Sequence, residues 1–164
     1  MTGPADLRGE ALIEHLRHVF HETPLHALLE IRFEDLEEPG VVRVSMPVGE
    51  AAFNASGNLH GGALATLVDV AAGSCSARAS GFDPATQSLV TADLHVRYLG
   101  RPKGDRVFAE ARLMRAGRML IVVEIRVTDP HDNVIAFADF SATVVPRREP
   151  LEAAASSDPQ SPDL

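Results

Sequence analysis

Asp69 lies inside Leu67-Val68-Asp69-Val70-Ala71, in the middle of the long apolar run from Gly61 to about Ser80. An unpaired carboxylate in such surroundings is costly, so something must compensate it. Two readings are open: a carboxylate that hydrogen-bonds a neighbouring loop for structure, or a catalytic group whose reactivity is set by dry surroundings. The same run opens on His60-Gly61-Gly62. Paired glycines at a helix start let a ligand approach the backbone, and the free N–H groups there suit a developing oxyanion, such as that of a thioester carbonyl. They equally permit a tight turn and close packing. On one helix Gly61 and Asp69 lie about 12 Å apart along the axis, at ~1.5 Å per residue. One carbonyl cannot touch both. If they share a site, the Asp must come from the antiparallel helix of a second subunit in an isologous dimer.

Other reactive side chains carry less. Ser74, Ser76 and Ser88 occupy no Gly-x-Ser-x-Gly turn, so a serine triad has no support. Cys75 is the single cysteine, which excludes an intrachain disulfide and a thiolate zinc cluster, and its neighbours suggest a small packed residue. His15, His18 and His21 recur every three residues, which drifts around a helix, and no carboxylate or thiol completes a ligand set, so no metal is expected. Arg101, Lys103, Arg115 and Arg118 sit at strand ends, either as ordinary surface charges or as partners for phosphates.

The elements that must position these groups follow from periodicity. Residues from about Ala5 to His21 read as an amphipathic helix ended by Thr23-Pro24. Leu29 to Glu34 and Val42 to Met46 alternate around Glu38-Pro39-Gly40, a hairpin signature. The run from Gly61 to Ser80 is apolar on every side of a helical wheel and must be wrapped. Four alternating stretches follow: Leu89 to Leu99, Arg106 to Arg115, Met119 to Thr128 and Val134 to Val145. Short connections make them a consecutive antiparallel meander. The expected architecture is α+β: residues 1–24 an N-terminal helix, 25–146 one curved antiparallel sheet around a long central helix, and 147–164 a disordered tail.

Composition bounds the partners. The chain has 164 residues, 45% hydrophobic, with formal net charge −8 and no basic block, so a nucleic-acid or anionic-membrane surface lacks its electrostatic footprint. No stretch is apolar for long enough to span a bilayer and no leader pattern opens the chain, which makes the cytoplasm the expected location.

The segment Asn54-Ala55-Ser56-Gly57-Asn58-Leu59-His60-Gly61-Gly62-Ala63-Leu64-Ala65-Thr66-Leu67-Val68-Asp69 resembles the signature of the PaaI-like hotdog thioesterases. There an Asn precedes a Gly, then His-Gly-Gly, with an acidic residue two turns into the central helix. The resemblance extends in outline from about Leu25 to Val145. It implies a hotdog fold and hydrolysis of an acyl-CoA thioester at paired dimer-interface sites, commonly within a homotetramer, with no cofactor beyond the coenzyme A of the substrate. It also implies roles. Asp69 is the general base or nucleophile, Gly61 donates its N–H to the thioester oxygen, Asn54 helps hold the attacking water or the carbonyl, and Thr91 supplies a hydroxyl near that water. His60, with Gly62, takes a positioning and binding role at the helix start, and Arg101 and Lys103 are candidates for the coenzyme A phosphates. Phe82, Met114 and Phe137 are guesses for the acyl lining. A non-catalytic acyl-CoA sensor remains the alternative; a hydratase needs a His and acid pair that is not seen.

Overall fold

The computed structural model describes residues 22–34 and 38–147, together with Glu14 and His18. Helix α1 (Pro24–Leu28) leads into β1 (Arg32–Phe33) and β2 (Val41–Pro47). A single 3-10 turn (Glu50–Ala52) precedes helix α2 (Gly61–Ser80), and β3 (Gln87–Tyr98), β4 (Arg106–Ala116), β5 (Ile121–Thr128) and β6 (Val134–Pro146) complete the sequence of elements. The first expected helix and the expected tail lie almost wholly outside the described residues. Within the former, Glu14 and His18 are helical, and His18 stands 3.2 Å from Glu22.

All six strands form one antiparallel sheet in the order β1-β2-β4-β5-β6-β3. The β1–β2 hairpin is present, although β1 is reduced to two residues. Glu30 adopts a left-handed φ of 49° and Ile31 N–H returns to the His26 carbonyl, so the chain is still turning where the alternation begins. The expected four-strand meander is corrected: β4, β5 and β6 are consecutive neighbours, whereas β3 pairs with β6 at the far edge. Residues 99–105 link β3 to β4 and are too long for a tight hairpin of about 2–5 residues. Local alternation identifies a strand without naming its neighbour.

Helix α2 forms because its sequence is rich in Ala, its N-cap residue His60 is extended (φ −70°, ψ 131°), and Gly81 supplies the left-handed C-terminal stop at φ 59°. Val42, Val44, Met46, Val107, Ala109, Ala111, Val123, Ile125, Ala138 and Phe140 face it, all nearly or fully buried. Small residues on both surfaces, among them Ala71 and Ala72 on the helix and Ala136, Ala138 and Ala142 on β6, let the sheet curl closely about the helix. This is the hotdog arrangement. The wrapping is incomplete on one stripe, where Gly62 is exposed and Ala65, Thr66, Asp69 and Gly73 are only half-buried. No helix among the described residues is long and apolar enough to cross a membrane.

Candidate active site

The start of α2 holds the first half of the site. His60 folds its ring back so that Nδ1 accepts the Gly62 N–H at 2.8 Å, which requires the Nε2–H tautomer. A Cβ on Gly62 would lie 3.0 Å from that ring atom, so this glycine exists to admit the cap. Gly61 differs. Its N–H has no partner among the described residues, and a Cβ there would meet the Tyr98 ring only at ordinary contact, 3.5 Å. The pair thus divides its labour: Gly62 serves packing, while Gly61 leaves a donor free at the positive end of a 20-residue helix.

Asp69 and Thr91 form the second half. Thr91 Oγ1 donates to Asp69 Oδ1 at 3.0 Å, and Oδ2 has no hydrogen bond among the described residues. A carboxylate held by one oxygen and open at the other can accept a proton or attack an electrophile. Helix α1 also belongs here: burial lowers the pKa of His26, and the negative charge of Asp69 acts in the opposite sense.

One strand touches both halves. Tyr98 Oη donates to the Gly61 carbonyl at 2.9 Å, while Thr91 reaches Asp69, so β3 runs antiparallel to α2 along its side. Strict alternation would put residues 91 and 98 on opposite faces of the sheet. A register shift between Thr91 and Asp93 leaves Ala92 without a partner on β6 and turns both side chains toward the helix.

Asn54 closes its own loop, with Oδ1 accepting from Ser56 N–H (2.9 Å) and Asn58 N–H (3.1 Å). Only its Nδ2 remains to meet a ligand. Arg101 lines a cavity of about 370 Å³ at the helix start with Gly61, Leu64, Asn58, Phe53 and Tyr98. Lys103 does not; its backbone N–H instead donates to Asp129. Phe82 lies beyond the far end of α2, beside Met119 and Leu120, and Phe137 pairs in register with Arg97 and Arg126. Cys75 is buried and its thiol is pushed up to about 11 by burial, as befits a packed residue. Among the described residues no His, Cys, Asp and Glu cluster could hold a metal.

Periodicity singles out none of Tyr98, His26 and Asp129. Asp129 is 1% exposed. Burial alone would raise its pKa, but side-chain donation from Asn133 and the backbone N–H groups of Lys103, Asn133 and His131 hold it well below the usual carboxylate range. The folded form therefore binds fewer protons than the unfolded chain. The resulting stability is present in full above the unfolded value of about 3.9 and is lost as the pH falls from there through the folded value. Thermal melts between pH 6 and pH 3 are expected to fall more steeply for the wild type than for Asp129→Asn; parallel curves would contradict this.

Known proteins supply the context. The thioesterase superfamily profile matches residues 56–136. A Halobacterium salinarum protein named as a candidate esterase is 35% identical over 115 residues, covering 68% of this chain and 74% of the relative. A mutant thioesterase of Pseudomonas aeruginosa superposes with TM-score 0.73 at 28% identity, over 82% of this chain and 94% of its own. A Bacillus halodurans protein solved with CoA superposes with TM-score 0.66 at 29% identity, over 83% and 84%. The match spans the helix start, Asp69 and β3 alike, and the chain belongs to the thioesterase superfamily.

Proposed function

We propose that this protein hydrolyses an acyl-CoA thioester to the free acid and coenzyme A, at two equivalent sites formed between two copies of the chain. The observation that carries this reading is the placement of the Asp69–Thr91 and Gly61–Tyr98 pairs at two ends of one edge strand. Strand β3 is 12 residues long, carries a largely exposed face and has no partner strand on its outer side among the described residues. Such an edge is a template for a second chain. Antiparallel self-pairing centred near Leu94 and His95 sets residue 91 of one copy close to residue 98 of the other. Asp69 of one copy then faces the Gly61 N–H of its partner, and the half-buried stripe of α2 is covered at the same time. The homotetramer is two such dimers.

In this site the thioester carbonyl oxygen accepts the Gly61 N–H, where the helix end supplies roughly half a positive charge. Asp69, oriented by Thr91, takes a proton from water attacking the carbonyl carbon, or attacks that carbon itself. By the first route the C–S bond breaks, the thiolate takes the proton held by Asp69 and the free acid is released; by the second the thiolate leaves an Asp69 acyl anhydride, which water hydrolyses to free acid and the restored carboxylate, the proton of that water passing to the thiolate. The Bacillus halodurans neighbour solved with CoA supports a coenzyme A-type ligand, with Arg101 as its phosphate partner here. The test is thiol release from a panel of aliphatic and aromatic acyl-CoA thioesters. Turnover of at least one member is expected; binding without any turnover would replace the enzyme by an acyl-CoA sensor.

A further inference from the structure

The proposed reaction leaves unused the most enclosed carboxylate among the described residues. Asp129 Oδ1 accepts from His131 N–H (2.9 Å), Asn133 N–H (3.0 Å) and Asn133 Nδ2 (3.2 Å), and Oδ2 accepts from Asn133 Nδ2 (2.9 Å) and Lys103 N–H (2.9 Å). All but one of these bonds stay inside the β5–β6 turn. The exception crosses to residues 99–105, the segment that carries Arg101 to the mouth of the helix-start cavity.

That segment is tied at both ends by main chain. Leu99 and Gly100 N–H both donate to the Ile135 carbonyl, and the Asp105 carbonyl accepts Val48 N–H at 2.7 Å. Between these ties, the bond from Lys103 to Asp129 is the one hydrogen bond among the described residues that fixes its course. Gly104 supports the same contact by packing: it has φ +117°, and a Cβ there would come within 3.1 Å of Pro130 Cγ. An isolated turn has no need of a fully buried carboxylate, because an exposed Asp closes such a turn equally well. What burial adds here is rigidity between two loops, one of which presents a guanidinium.

We propose that Asp129 is a positioning residue for the nucleotide half of the thioester: it holds residues 99–105 in the shape that presents Arg101 to a phosphate at the helix-start cavity. This rests on the acyl-CoA reading above. A guanidinium binds phosphate through directional paired hydrogen bonds, so fixing its loop in advance lowers the ordering cost of binding. In Asp129→Asn, the three donors on Oδ1 retain a carbonyl oxygen, and the new amide faces Lys103 N–H and Asn133 Nδ2, donor against donor; Asn133 Nδ2 keeps its bond to Oδ1, whereas Lys103 N–H has no second acceptor on the side chain. The turn survives and the bond between the loops is lost.

The test compares two thioesters of one acyl group, the coenzyme A thioester and the N-acetylcysteamine thioester, which has no phosphate. For Asp129→Asn, KM for the coenzyme A thioester is expected to rise about tenfold, the scale of a charge-assisted hydrogen bond, with kcat nearly unchanged. Both constants for the truncated thioester stay at wild-type values. Gly104→Ala, which strains the same contact from the other side, is expected to give the same split and carries the test should Asp129→Asn fail to fold. Equal losses on both substrates, or an unchanged KM for the coenzyme A thioester, overturn the proposal. Calorimetric Kd values for coenzyme A and for pantetheine read the same split without turnover. Wild-type protein that prefers coenzyme A, loses that preference in the variants, and cleaves nothing sinks the thioesterase reading and sustains the role of the loop. Wild-type protein that binds pantetheine as tightly as coenzyme A sinks the loop's role instead.

Discussion

Asp69→Asn is expected to yield a folded, oligomeric protein whose kcat on its best acyl-CoA falls by at least about two orders of magnitude, the range lost with a general acid or base. The substitution preserves shape. An amide oxygen at Oδ1 still accepts the Thr91 hydroxyl at the observed 3.0 Å, so strand β3 keeps its tie to α2. What disappears is the negative charge and the free Oδ2, which must accept a proton or attack the carbonyl. Because Asp69 is half-buried and the amide keeps the Thr91 bond, neutralising it has no structural penalty comparable to the catalytic loss. A fall in kcat with little change in KM is the signature of an interaction made in the transition state. Thiol release over a range of substrate concentrations checks it, and retention of a tenth or more of the wild-type kcat would remove Asp69 from the chemistry.

Gly61→Pro tests the other half, with an expected loss of about 10²–10³ in kcat, the usual effect of deleting one oxyanion donor. Proline removes the one N–H assigned to the thioester oxygen and is otherwise well suited to the position. Gly61 is the first residue of α2, where proline is favoured. His60 already has the extended φ and ψ that a residue before proline adopts, and the space beside Gly61 accepts a Cβ at 3.5 Å from Tyr98. Gly61→Ala is the control: it adds the same Cβ and keeps the N–H, so its kcat stays within about tenfold of the wild type. Equal losses in the two variants would assign Gly61 to packing, the structural reading that its sequence context also allowed.

Much of the candidate site is legible in the amino-acid sequence. Asp69 stood out because a carboxylate inside Leu67-Val68-Asp69-Val70-Ala71 is anomalous in any helix, and the helix itself was bounded by Gly61-Gly62 and Gly81. The alternation of β4, β5 and β6 gave both the strands and their order, since short turns make neighbours. The place of β3 was not legible. Its partner is chosen by how the sheet closes around the helix, a long-range matter to which the residues of 87–98 are locally indifferent. The shift at Ala92 is equally silent, since one unpaired residue changes which side chains face the helix without altering composition. For that reason nothing in the residues around Tyr98 marks its contact with Gly61. His26 and Asp129 were hidden likewise: neither the approach of α1 to Asp69 nor the bond across to Lys103 leaves a mark on nearby sequence.

In the proposed dimer each site takes Asp69 from one copy and the Gly61 N–H from the other. This arrangement is tested most directly by co-expressing Asp69→Asn and Gly61→Pro chains under two different tags and isolating oligomers that carry both. In a heterodimer of this kind one site holds both lesions and the other holds neither, so activity is expected to return to about half the wild-type value per dimer, from two nearly inactive parents. Mixed oligomers as inactive as either parent would show that the two groups do not meet across the interface.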